Sequence, residues 1–123
     1  PGLIGATLGI IGHGALGRRL AALGSAFGME VLIAERKGQP PRDGRAAFTD
    51  VLARADVLCV ACPALPDTVG LIGAAELTRM RPSAVLINTA RGGIVDEQAL
   101  ADALRAGRLA GAGVDSLSRE PPR

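Results

Sequence analysis

Three observations predict a doubly wound α/β fold, with a parallel sheet and helices on both faces. Short apolar runs alternate with helical patterns along the whole chain. The runs are apolar on both faces, as strands covered from either side must be. The linkers between them carry Gly, Pro and polar residues that stop regular structure. The length of 123 residues is that of one domain, and 48% hydrophobic against 21% charged residues, with a mean hydropathy of +0.29, is the composition of a packed core.

The elements run in order along the chain, without internal repeat. Thr7 to Ile11 is the first strand, and Leu16, Leu20, Leu23 and Phe27, at steps of four, three and four, mark a helix after it. Glu30 to Ala34 is the second strand. The linker KGQPPRDGR is too polar and proline-broken for regular structure. Phe48, Val51, Leu52 and Ala55 then give the second helix, and Val57 to Ala61 the third strand. CPALPDTVGLIG is long enough to be a functional loop. A short helical turn around Leu77 to Met80 is ended by Pro82, and Ala84 to Asn88 is the fourth strand. The last helix carries Leu100, Ala103 and Leu104, with Asp96 as N-cap and Gly107 as the C′ residue. Gly111 to Val114 closes the series as the fifth visible strand, and a sixth is expected outside the chain.

Composition excludes several functions. The net charge of +2 is too small to name a partner, and the basic residues are spread along the chain. Two Phe and no Tyr or Trp leave little to stack on bases, so no nucleic-acid partner is expected. No apolar run approaches the ~20 residues of a membrane span, and the N-terminus lacks a signal pattern. A soluble, cytoplasmic protein with no membrane partner is the expectation. Cys59 and Cys62 form one C-x-x-C, but a structural zinc needs about four ligands and no second pair exists, so both read as buried or strand-end thiols. The chain starts at Pro1 and stops in EPPR, which reads as a piece of something longer, a single domain over 1–123 with its flanking domain outside it.

Gly12-His13-Gly14-Ala15-Leu16-Gly17 is G-x-G-x-x-G, directly after a strand and opening a helix. The first glycine makes the tight turn, the second lets a pyrophosphate approach the backbone, and the third lets helix and strand pack closely. The helix N-terminus offers unpaired N–H groups to the phosphates. His13 fills the turn beside them and is no catalyst. Glu35, at the end of the second strand, stands where a carboxylate accepts hydrogen bonds from the adenosine ribose. The reading is a Rossmann-like dinucleotide site. Glu35 would repel a 2′-phosphate, whereas Arg36 and Lys37 would attract one, so NAD is expected and NADP stays open.

Together with GIIGHGALG and CPALPDTVGLI, the segment Asn88 to Asp96 resembles the N-x-A-R-G-x-x-V-D pattern of the D-isomer-specific 2-hydroxyacid dehydrogenases, over nearly the whole chain. GMEVLIAERKG is more particularly similar to the hydroxypyruvate reductase or glycerate dehydrogenase subgroup. The resemblance implies that Arg91 holds the substrate's carboxylate and carbonyl, a task that suits a bidentate guanidinium. It implies that Asp115 lies near the nicotinamide carboxamide. It also implies that Glu120 hydrogen-bonds a catalytic histidine located outside the chain and keeps it protonated. Cys62, Pro63, Thr68, Thr89 and Ala90 join the cofactor contacts by the same route. The implied function is that of a cofactor-binding domain in an NAD(P)-dependent oxidoreductase acting on a small 2-oxo or 2-hydroxy acid such as hydroxypyruvate or glyoxylate. The domain alone is expected to bind cofactor with little turnover, and by resemblance to form a homodimer. A corepressor-like binding protein of the same fold, or a structural module with an empty cofactor site, are the alternatives.

Overall fold

The computed structural model describes residues 3–63, 65–90 and 93–114. Five parallel strands, β1 (Thr7–Ile11), β2 (Glu30–Ile33), β3 (Val57–Val60), β4 (Val85–Asn88) and β5 (Gly111–Val114), form one sheet in the order β2-β1-β3-β4-β5. Between them run α1 (Ala15–Ala26), α2 (Phe48–Arg54), α3 (Ala74–Arg79) and α4 (Glu97–Arg105). Strands and helices fall where the sequence puts them. The differences are at the ends: β2 and β3 each stop one residue early, β4 begins one residue late, and α3, expected around Leu77 to Met80, begins at Ala74 and ends at Arg79. Within the predicted irregular loop after β3, Pro66–Thr68 forms a single 3-10 turn, with proline at its first position.

All five residues of β1 are buried, and its side chains divide between two cores. Leu8 and Ile10 join Cys59 beneath Leu20 and Ala21 of α1. On the opposite face Ile11, Leu58, Val60 and Leu86 pack with Phe48, Val51 and Leu52 of α2, Leu77 of α3 and Ala103 of α4. Helices therefore cover both faces, α1 on the first and α2, α3 and α4 on the second.

The leucine stripe of α1 is helical, but of its four members only Leu20 packs against the core. Leu16, Leu23 and Phe27 are 41%, 55% and 57% exposed, and the fully buried positions are Gly17 and Gly24. A Cβ on Gly24 would come within 2.6 Å of Leu8 Cδ2. At Gly24 the helix lies so close to the sheet that only glycine fits between them.

Ala34 makes a single parallel rung with Ala46. The Glu35 N–H donates to the Ala46 carbonyl at 2.7 Å, and the Ala46 N–H to that of Ile33 at 2.8 Å. This rung stands where the third strand of the dinucleotide-binding order 3-2-1-4-5-6 would lie. The chain then crosses back over β1 to build β3, so the order reverses between β1 and β3. Ligands bind at the carboxyl ends of strands at such a reversal.

Candidate functional site

The glycine turn lies at that reversal. Gly12 leaves β1 with φ of +107°, and a Cβ there would come within 2.6 Å of the Cys62 backbone N and 2.7 Å of the Ala61 carbonyl carbon. Only glycine lets the end of β1 press against the end of β3. A Cβ on Gly17 would meet the Gly12 carbonyl oxygen at 2.2 Å, so the third glycine closes the turn onto the helix. Gly14, the N-cap of α1, differs: a Cβ there meets nothing within 4 Å, and no side chain caps the helix. The first-turn N–H groups consequently face an open cradle, with no acidic residue in that turn. Ala15 and Leu16 line the opening and are exposed. His13 is half-buried, its Nδ1 enclosed without a hydrogen-bond partner among the described residues. These features fit a dinucleotide pyrophosphate.

At the end of β2, Glu35 is buried to 3% exposure. Its Oε1 accepts from the Arg42 N–H at 3.0 Å and Arg42 Nε at 2.7 Å, and its Oε2 from the Arg36 N–H at 2.9 Å and Arg42 Nη2 at 2.9 Å. The Arg42 guanidinium, then the backbone N–H groups, hold the Glu35 carboxyl down at about 2. Arg42 was not visible in the sequence as a site residue, because an ion pair across a proline-broken linker follows no periodicity. Arg36 is exposed, and its side chain makes no hydrogen bond among the described residues. Lys37 turns elsewhere: its amine pairs with Glu76 of α3, donates to the Leu71 carbonyl at 3.3 Å and lies 5.7 Å from the Phe48 ring centroid.

The loops after β3 and β4 are joined. Gly70 donates to the Gly93 carbonyl at 2.6 Å and Ile72 to that of Ile94 at 3.0 Å, and Ile72 forms a parallel rung with Val95. Thr89 donates its hydroxyl to the Val60 carbonyl at 2.8 Å, and Ala90, buried, gives its N–H to Asn88 Oδ1 at 3.0 Å. Thr68 accepts from the Leu65 N–H at 2.8 Å and so folds the 3-10 turn on itself. Cys62 is half-buried beside Gly12, with Pro63 exposed next to it; burial pushes the thiols of Cys59 and Cys62 up, and both are unbridged. Among the described residues no group of His, Cys, Asp and Glu is placed to hold a metal, and no helix is long and apolar enough to cross a membrane. The structure thus brings Gly12 to Gly17, Cys62 and the loop ends around one crevice mouth. Arg91, Asp115 and Glu120 lie outside the described residues. Of the neighbours of Arg91 in sequence, Ala90 is held by Asn88 and Gly93 by Gly70.

The family model for the D-isomer specific 2-hydroxyacid dehydrogenase NAD binding domain matches residues 2–123. Over 121 residues the chain is 47% identical to a glycerate dehydrogenase of Methylorubrum extorquens, covering 98% of this chain and 38% of that protein. The fold is similar to a glyoxylate reductase structure from Paecilomyes thermophila, with a TM-score of 0.84 and 39% identity over 98% of this chain and 38% of that one. It is also similar to the NAD-complexed D-isomer specific 2-hydroxyacid dehydrogenase from Lactobacillus delbrueckii ssp. bulgaricus, with a TM-score of 0.81 and 39% identity over 89% of this chain and 34% of that one. The chain spans little more than a third of these relatives.

Proposed function

Because the chain belongs to the D-isomer specific 2-hydroxyacid dehydrogenases, as their NAD-binding domain, we propose that the whole protein moves a hydride between a nicotinamide dinucleotide and a small 2-hydroxy or 2-oxo acid. The substrate is of the hydroxypyruvate or glyoxylate type, the setting is the cytoplasm, and this chain is the part that holds the cofactor. One observation carries the reading: the open cradle at Gly14, set against the uncapped start of α1 at the point where the strand order reverses.

Gly12 and Gly17 shape the turn, and the N–H groups of Ala15, Leu16 and Gly17 bind the pyrophosphate. The bound nicotinamide supplies the hydride. Arg91, just past the carboxyl end of β4, holds the acid through two parallel hydrogen bonds and polarises its carbonyl. Asp115 orients the carboxamide. Glu120 holds a histidine of the flanking domain in its protonated form, so that a proton reaches the carbonyl oxygen as the carbon is reduced. The domain alone binds cofactor and turns over little, because the proton donor and the closed cleft belong to the rest of the protein. Two copies associate through the outer stripe of α1, where Leu16, Leu23 and Phe27 are exposed.

Calorimetric titration of the chain with NADH tests this. Saturable binding is the expected result, lost when Gly14 is replaced by valine. Unchanged affinity in that variant overturns the phosphate cradle.

A further inference from the structure

The ribose hydroxyls expected at Glu35 meet a carboxylate whose acceptor positions are filled. A carboxylate offers about four lone-pair sites, and four N–H donors, three of them from Arg42, occupy them. For Glu35 to accept from a ribose, two charge-assisted bonds to the guanidinium would have to yield to bonds from neutral hydroxyls, which are weaker. Arg42 therefore stays in place. Of its five side-chain N–H donors two face Glu35, which leaves three. Its side chain is 65% exposed while that of Glu35 is 3% exposed, so the pair shows the solvent its cation and hides its anion. Arg36 stands beside it, exposed and without a hydrogen-bonding side-chain partner among the described residues. Lys37 takes no part, since its amine is paired with Glu76.

We propose that Arg42, held by Glu35, reads the 2′ position of the adenosine ribose, and that with Arg36 it gives this site a seat for a 2′-phosphate. The repulsion that the sequence leads one to expect from Glu35 is cancelled by the guanidinium bound to it. The site then takes NADP(H) at least as well as NAD(H), and Arg42 is its specificity-determining residue. The inference rests on the cofactor reading of the glycine turn.

Separate calorimetric titrations of the 123-residue chain with NADPH and NADH at fixed salt test it. The expected result is NADPH binding as tightly as NADH or more tightly. Arg42→Ala should shift the NADPH to NADH affinity ratio by about tenfold or more toward NADH. Because that variant leaves Glu35 buried without its partner, the double variant Glu35→Gln/Arg42→Ala, which removes both charges, is titrated beside it and should show the same shift. Tighter NADH binding by the unaltered chain, or an unchanged ratio in both folded variants, overturns the role of Arg42 while leaving the cofactor site standing. Binding of neither dinucleotide overturns the cofactor reading and this inference with it.

Discussion

A methyl group on Gly17 would sit 2.2 Å from the Gly12 carbonyl oxygen, whereas one on Gly14 meets nothing within 4 Å. The two glycines of one motif thus differ: the fold requires Gly17, whereas it leaves Gly14 open, as the proposed cofactor site would need. Gly17→Ala should cost about 1–3 kcal/mol of stability, seen in urea unfolding, because backbone must move to admit it. Gly14→Val should cost no more than about 1 kcal/mol, as a poorer N-cap, while it abolishes NADH binding. Glu35 gives a second prediction. Its carboxyl is held at about 2 in the folded chain against an ordinary 4.5. A depressed value means that the Glu35–Arg42 contribution is fully present above the unfolded value and is lost as the pH falls from about 4.5 toward 2. The thermal midpoint should drop across that window, and Glu35→Gln should flatten the drop; a parallel fall in both chains refutes it. The close-packed glycines Gly12 and Gly17, and the place of Glu35 at the end of β2, were legible in the sequence because they follow from short-range spacing. The engagement of Glu35 by Arg42 was not, since nothing in KGQPPRDGR marks which of its cations folds back.

At the scale of elements, α4 and α1 differ in how their sequences map onto structure. Asp96 caps α4 as expected, accepting from the backbone N–H groups of Gln98 at 3.0 Å and Ala99 at 3.1 Å. Asp96→Ala should therefore cost about 0.5–2 kcal/mol, and Asp96→Asn much less, in equilibrium unfolding. In α2 the apolar positions Phe48, Val51 and Leu52 are all buried, so periodicity named both the helix and its inner face. In α1 it named the helix and one inner position, Leu20. Leu16, Leu23 and Phe27 stay outside, and Gly17 and Gly24, with Leu20 and Ala21, form the contact face, because tight packing on β1 selects small residues that carry no apolar signal. Gly9 does the same from the sheet: a Cβ there would meet Val51 Cγ1 at 2.7 Å. A hydropathy pattern cannot show such close approaches.

For the whole molecule, alternation of strands and helices was enough to predict a parallel sheet covered on both sides. It did not give the order β2-β1-β3-β4-β5, nor the rung at Ala46 that stands in for an edge strand. Those depend on where the chain crosses back, which is set by packing between elements distant in sequence. The position of the crevice is set by that reversal, and so the site became a place only once the order was known. The exposed stripe of α1 acquires meaning at this scale too. Ile4, 86% exposed, lies against Gly28 at the end of the same helix and extends the apolar surface. If a second copy covers it, Leu23→Ser/Phe27→Ser should convert a dimer into a monomer in sedimentation equilibrium while leaving the thermal midpoint of the monomer little changed. A chain that sediments as a monomer before any substitution overturns the dimer.

The linker Lys37–Arg45 reads as a place where a chain is cut. With Arg36 it offers trypsin four cleavable side chains, Arg36, Lys37, Arg42 and Arg45, in ten residues. Yet Lys37 is tied to Glu76, Arg42 to Glu35, and the backbone returns to β2 at Ala46. A protease needs a freely extended segment that can enter its own cleft, and this one is a closed loop buttoned at both ends. The ion pair of Glu35 and Arg42 therefore also guards a stretch rich in cleavable side chains, and a variant that breaks it should be digested faster.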